Sequence, residues 1–461
     1  MLDKPAPDDT GPIWQRSADR FCLAAVAVAL LGALVYSIAC RGPWYDEFYT
    51  LYVTDPGFAW REAFSQHWLP DNHPPLYYVL VRAVRGLWSD IEALRLINVV
   101  CGAIAFACAG FCVRGDRKAA SLAIVLFLFL ASQRATLLYG AELRSYFLTL
   151  CSTSLLVLAL TAIYFDRQPG GFWRRSTLAL SIFVSFNTHI VATLVSGAIL
   201  LPFVVVFALQ RNFGALRAIL IPAVLSGLVF VAVTAIQLPL WEANTRSFWI
   251  PAGFTAGWTA IQVTAQRALE GNPVILVLAA IGWALSVVQA VRHRLRSPEL
   301  EVCAILGVGA LLALGLLLGI HGWRPIIVEK YLTCLIPVLG MTLAIGMGQL
   351  FKQVAAKLGA LLMTLAAVAS LVAINAHRLE TVRAKSWTGT AEAIGSQVAR
   401  CPDTVVHIDP YWNSDIVDTP PRDNIATVAF AYRVMARRHG FVVEPVDSRR
   451  ISNTCPTLFW A

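Results

Sequence analysis

Charge is scarce in this chain. Asp, Glu, Lys and Arg make up 14% of its 461 residues, where a soluble protein of this size carries about a quarter. That shortage rules out a large solvated surface over most of the length. Also missing are a Cys/His spacing that suits a zinc site, an internal repeat, a low-complexity tract and a soluble Rossmann-like region able to hold a nucleotide. Of the ten cysteines, only Cys401 and Cys455 fall in polar sequence. The others lie in or beside apolar runs and read as small packing residues. The formal net charge is +9, yet the basic residues cluster in short loops between apolar runs. This is a membrane-topology pattern and not a nucleic-acid surface.

What the chain has in abundance is apolar sequence, 57% of its residues. Runs of about twenty residues, each long enough to cross a bilayer, recur from residue 21 to residue 376. The reading is an all-α polytopic membrane protein with about eleven transmembrane helices. The spans fall near 21–40, 93–113, 118–138, 145–165, 176–188, 190–209, 217–238, 273–292, 300–320, 331–350 and 357–376. The first reads as a retained anchor rather than a cleaved signal peptide. Basic loops Arg114 to Lys118, Asp166 to Arg175, Arg211 to Arg217, Arg292 to Arg296 and Lys352 to Lys357 then share one side with tail 1–20, the cytoplasmic side. Loops 41–92, 139–145, 239–272 and 321–330 fall on the other side, together with the polar region 377–461. Leu76–Trp88 is apolar but carries Arg82 and Arg85, and counting it as a span would invert every later loop. It reads instead as an amphipathic helix on the outer surface. The domain plan is therefore a cytoplasmic tail 1–20, a membrane domain 21–376 with a long external loop 41–92, and a small α/β C-terminal domain 377–461. That last part has strand-like runs near 404–408 and 441–446 and a helix-like stretch near 425–439. In an oxidising compartment Cys401 and Cys455 can pair.

The ionisable signatures sit at span ends, all on the outer side, and scarce polar groups gathered on one face suggest a site there. Asp46-Glu47 follows the first span between Trp44, Tyr45, Phe48 and Tyr49. An adjacent carboxylate pair can deprotonate or orient an acceptor, or bind a cation; an interfacial aromatic belt with two solvated acids explains the dipeptide equally well. In Asp71-Asn72-His73-Pro74-Pro75, the prolines fix the backbone of a His that can donate to a phosphate or serve only as a structural hydrogen-bonding group. Glu142-x-Arg144-x-Tyr146 offers a cation for phosphate and a second acid, or else a local ion pair between two helices. His189 interrupts an apolar stretch, where a polar group needs a partner or a cavity. Glu329-Lys330-Tyr331 places a point charge at the membrane surface, suited to a lipid phosphate. Trp241, Arg246, Trp249 and Trp258 can line a lipid or sugar groove or simply anchor the loop. His407, Asp409, Asp415, Asp418 and His439 in the tail lack ligand spacing, so no metal site is expected.

Together these strings resemble the GT-C integral-membrane glycosyltransferases, in particular glycosyltransferase family 39 and its bacterial relatives, the protein mannosyltransferase and aminoarabinose lipid A transferase group. The family's acidic pair after the first span matches Asp46-Glu47, and its His-Pro-Pro-Leu string matches His73-Pro74-Pro75-Leu76. Its Glu-x-Arg-x-Tyr string matches Glu142, Arg144 and Tyr146. A late Arg-Tyr string matches Lys330-Tyr331, with Lys in place of Arg. The resemblance covers roughly 21–350 and leaves the tail unmatched. It implies a multi-pass protein of the bacterial inner membrane, with a cytoplasmic N-terminus and a periplasmic C-terminus. Its reaction would move a hexose or pentose from a polyprenyl-phosphate donor to a cell-envelope lipid, glycan or protein. Asp46 would be the acceptor-activating carboxylate and Glu47 its support. Arg144 and Lys330 would engage the donor phosphate, while His73, Glu142, Tyr146, His189 and Tyr331 shape the site. The resemblance fixes no cofactor, and a divalent cation is compatible with the site. A transporter or flippase of lipid-linked substrates is the competing class, and it calls for polar residues or broken helices at the bilayer midplane.

Overall fold

The computed structural model describes residues 13–71, 73–166, 171–244, 250–293, 297–384, 386–408, 424–445 and 450–460. Side chains at 13–20, 241–244, 293, 424–429 and 445 lie outside that description, as do Asn72, Arg246, Trp249, Asp409, Asp415 and Asp418. The chain starts with α1 (Ile13–Cys40), whose part from Phe21 is the first apolar span. The external loop follows and is largely ordered: α2 (Tyr45–Val53), α3 (Trp60–Glu62) running into a π-helical turn Ala63–Trp68, and α4 (Leu76–Val84). Pro74-Pro75 precede α4, as expected for residues that start a helix but cannot continue one. This α4 is the amphipathic helix expected near 76–88; it buries Tyr77, Tyr78, Val81 and Arg82.

The bundle comprises α5 (Ile91–Cys112), α6 (Arg117–Ala131), α7 (Arg134–Gly140), α8 (Tyr146–Phe165), α9 (Phe172–Thr188), α10 (Ile190–Leu209), α11 (Phe213–Asn244), α12 (Phe254–Glu270), α13 (Pro273–His293) and α14 (Pro298–Trp323). It closes with a 3-10 segment Glu329–Leu335 leading into α15 (Ile336–Gln353), then α16 (Ala356–Val382). Among the described residues, nine helices are long and apolar enough to span a membrane. A tenth is formed if α6 and α7, bent by 71° at their junction, count as one. The remaining expected span, 176–188, lies in α9, which has 17 residues.

Burial sorts these helices. In α8, 94% of the apolar stretch is buried, so it forms the centre of the bundle; in α11 the figure is 11%, leaving Leu220, Val224, Leu228 and Val231 on an outward, lipid-suited face. At one end of the bundle, Arg174 bridges Asp116 (2.8 Å) and Asp166 (2.5 Å), and the buried Glu299 carboxylate accepts from Lys118 and Lys352 at 2.7 Å each. These pairs join the basic loops that the charge pattern assigns to one side.

The opposite end carries a second hydrophobic core, separate from the main one and built jointly by the external loop and the tail. The tail adds α17 (Thr388–Arg400), β1 (Val405–Ile408), α18 (Asn424–Arg438), β2 (Glu444–Pro445) and β3 (Thr457–Trp460). β1 lies between β2 and β3 in an all-parallel three-stranded sheet. A Cys401–Cys455 disulfide ties the start of β1 to the approach to β3. Phe48, Leu51, Trp68, Tyr77 and Tyr78 of the loop share this core with Ala391, Val406, Tyr432, Met435 and Trp460 of the tail.

Candidate active site

α2 sits at the middle of that end. Its start is fixed by Glu47, fully buried, which makes two 2.7 Å bonds with the Arg95 guanidinium and accepts from the Leu143 (2.8 Å) and Trp44 (3.0 Å) backbone N–H groups. Arg95 also donates to the Arg41 and Gly42 carbonyls at the end of α1. Two buried charges this well bonded hold position firmly. Glu47 thus joins α1, α2, α5 and the 143–145 turn, and none of its oxygens faces the site.

Asp46, one residue earlier, points the other way. Its carboxylate pairs with Lys330 Nζ, brought in by the 3-10 segment before α15. Burial alone would raise the Asp46 pKa, but the charges of Arg144 and then Lys330 outweigh it and hold the acid below its ordinary value. Arg144, 7% exposed, donates to Thr50 Oγ1 (3.2 Å) and its guanidinium lies 5.7 Å from the rings of Tyr49 and Tyr146. Among the described residues its Nε has no partner.

Aromatic and imidazole rings complete the enclosure. His189 is 4.8 Å from His73 and 4.5 Å from Tyr331, measured between ring centroids, and Tyr146 is 5.7 Å from Tyr331. Lys330 Nζ lies 5.4 Å from the Tyr146 ring. His189 occupies the extended residue between α9 and α10 and caps α10, with Nδ1 accepting from the Val191 N–H at 3.2 Å. In the neutral ring the proton then sits on Nε2, which is buried; among the described residues neither it nor the Tyr146 hydroxyl has a hydrogen-bond acceptor. A narrow crevice lined by His73, Pro74, Tyr77, Tyr78, Arg144, Ser145 and Thr188 runs beside these groups. Buried donors seldom go unmatched; here Arg144, His189 and Tyr146 all offer one. The set suits an anion, and phosphate first of all.

Seven of the nine residues expected from sequence are therefore brought together: Asp46, His73, Arg144, Tyr146, His189, Lys330 and Tyr331. Glu47 and Glu142 stand behind them. Glu142 pairs with Arg41 at 2.7 Å, burial pushing its carboxyl pKa up against the pull of that guanidinium. Glu329 turns away to pair with Arg267, and Trp258 lies on α12, 43% exposed. Among the described residues no cluster of acids, histidines and cysteines is arranged to hold a metal.

Sequence reading missed Arg41, Arg95 and Gln237. The signal for Arg95 was present, since an arginine inside an apolar span requires a partner. Gln237, on the otherwise outward-facing α11, donates to the carbonyls of Trp68 (3.1 Å), Asp71 (3.0 Å) and His73 (3.0 Å), pinning the loop that carries His73. Asp71 was read only as part of that string; its buried carboxylate accepts from Tyr78 and approaches His73 Nδ1 at 3.3 Å.

No family model and no curated protein matches the chain in sequence. Solved structures do match in shape. ArnT from Cupriavidus metallidurans bound to undecaprenyl phosphate superposes with a TM-score of 0.53 at 13% identity, over 93% of this chain and 90% of that one. The same protein in its apo state gives 0.50 at 13% identity, over 94% and 90%. A looser likeness, TM-score 0.41 at 15% identity over 82% of this chain and 39% of the other, links it to arabinosyltransferase EmbB from Mycobacterium smegmatis. The protein has the GT-C fold of ArnT.

Proposed function

We propose that this protein transfers a sugar from a polyprenyl-phosphate donor to a lipid, glycan or protein acceptor at the periplasmic face of a bacterial inner membrane. The observation that carries this reading is the convergence of one ionised carboxylate, Asp46, with two cations, Arg144 and Lys330, beside the unmatched donors of His189 and Tyr146. Shape likeness to ArnT, whose structure holds undecaprenyl phosphate, supports a lipid-phosphate partner. The Cys401–Cys455 disulfide lies at the same end as the site and supports an oxidising compartment there. On this reading the N-terminus lies in the cytoplasm and the C-terminal region in the periplasm.

The chemistry is a single displacement. The acceptor hydroxyl gives its proton to Asp46 as its oxygen attacks the anomeric carbon. The bond from that carbon to the phosphate oxygen breaks, and its electron pair stays on the phosphate. Arg144 and Lys330 neutralise the charge that develops on this leaving group, and His189 and Tyr146 donate to it. One displacement inverts the anomeric centre. Before the donor arrives, Lys330 is held by Asp46. A phosphate seated on Arg144 competes for that ammonium, loosening the ion pair and making Asp46 a better base at the moment it is needed. If the acceptor is itself a phosphate, Asp46 only positions it.

The test uses purified protein in lipid vesicles with a panel of polyprenyl-phosphate sugars and cell-envelope acceptors, followed by mass spectrometry. Donor consumption coupled to a glycosylated acceptor is the expected result. Intact donor carried across the bilayer without chemistry would overturn the reading in favour of a flippase.

A further inference from the structure

α2 carries Asp46 but is only nine residues long, well below the length at which an isolated helix holds its own shape. Its three faces have separate partners. Glu47 turns toward the bundle, Asp46 and Thr50 toward the site, and Tyr45, Phe48 and Tyr52 toward the tail. Trp387, at the start of α17, lies 5.7 Å from Phe48 and 6.5 Å from Tyr45, ring to ring. Behind it stand Tyr432 (4.8 Å) and Trp460 (5.9 Å), themselves 4.8 Å apart. Further along α2, Tyr52 meets Phe430 at 5.3 Å. Rings at these spacings gain packing energy beyond the area they cover.

Two backbone features lock the same seam. The Trp387 N–H donates to the Pro43 carbonyl at 3.0 Å. At Gly42 the chain passes so close that an added Cβ would lie 2.0 Å from Thr388 Oγ1, so any side chain there would displace Thr388. On the far side, Arg438 of α18 makes two 2.9 Å bonds with Glu92 at the start of α5. The tail is therefore seated on two elements of the site's frame rather than hung from α16.

We propose that the C-terminal region is a positioning device for catalysis: Trp387, backed by Tyr432 and Trp460, presses on the rear of α2 and holds Asp46 against Lys330 and Arg144. Glu47–Arg95 fixes one point of the helix. A second point is needed to stop α2 pivoting about it, and Trp387 supplies that point. This assignment rests on the transferase reading for its kinetic consequence but not for its mechanical one.

The test compares the full-length wild type with Trp387→Ala and Trp387→Phe in lipid. Hydrogen exchange followed by mass spectrometry reads the amides of 44–53, with α8 as an internal control. In Trp387→Ala, exchange at 44–53 should quicken about tenfold, as for a locally loosened element, while α8 stays unchanged. Turnover should fall about 10²-fold with the donor KM within about threefold, as expected for a misplaced catalytic group. Trp387→Phe should restore both. Unchanged exchange at 44–53 would overturn the proposal, and so would full turnover in Trp387→Ala. If that variant does not accumulate, Trp387→Leu, which keeps apolar bulk without a ring, answers the same question. Should the wild type consume no donor, the transferase reading fails, and the exchange comparison still decides the mechanical claim.

Discussion

Asp46 and Glu47 are neighbours in sequence, and sequence alone pairs them as acids of one site. Consecutive helical residues point about 100° apart, so α2 sends one to Lys330 and the other to Arg95. Their substitutions should differ accordingly. Glu47→Gln leaves the Arg95 charge buried with half its partner gone, so it should lower stability by about 3–5 kcal/mol, seen as a drop in thermal unfolding temperature in detergent. Lys330→Met should act on the pH profile instead. In the wild type the cations hold the Asp46 pKa below its ordinary value, so the acid limb of kcat/KM lies below the usual carboxylate range. Removing Lys330 takes away one lowering influence while burial keeps raising, so the limb moves to higher pH. A limb that stays put in Lys330→Met would separate Asp46 from the rate-determining proton. At this scale the candidate side chains were legible because ionisable residues in a span-rich chain are few. Their division into chemical and supporting roles was not, since it depends on which way each turns from the helix.

At the scale of elements, hydropathy located the spans well, because an apolar run of about twenty residues has few alternatives to a transmembrane helix. The segment carrying Arg82 and Arg85 forms a helix of nine residues, too short to cross a bilayer, and Arg82 is bonded to the Thr54 carbonyl at 3.1 Å. Helix contacts were not legible. α13 and α15 cross so closely that a Cβ at Gly282 would lie 1.9 Å from the Gly346 carbonyl oxygen, a small-residue crossing of the kind membrane bundles favour. Gly282→Leu should therefore force these helices apart and lower thermal stability by several degrees, whereas Gly307→Leu on α14, with open space around its Cβ direction, should not. Gln237 teaches a similar lesson. A lone amide on a lipid-facing helix gives no sequence clue to its three carbonyl partners in a loop far back in the chain. Gln237→Leu should loosen the 68–73 loop and raise the donor KM, read from initial rates across donor concentration.

For the whole molecule, the loop alternation predicted that the signatures share one end, and the structure gathers seven of the nine expected side chains there. The tail was the least legible part. β1, β2 and α18 were foreseeable from local pattern, and the disulfide from two cysteines in polar sequence, whereas α17 and β3 were not read. That its core is continuous with the external loop was not, because the partners lie more than 300 residues away (Tyr45 and Trp387 among them) and no local period records such a contact. On the proposed reading the bundle holds the lipid-linked substrate, the loop carries the carboxylate and the tail braces it.

The central claim is that Asp46 performs the chemistry on a polyprenyl-phosphate sugar. The most direct measurement is single-turnover mass spectrometry of wild type and Asp46→Asn with the donor that the panel identifies, each shown to be folded and to bind undecaprenyl phosphate. The account predicts glycosylated acceptor from the wild type and a loss of at least about 10²-fold in rate for Asp46→Asn, with lipid-phosphate affinity retained. Transfer by Asp46→Asn at the wild-type rate would contradict it.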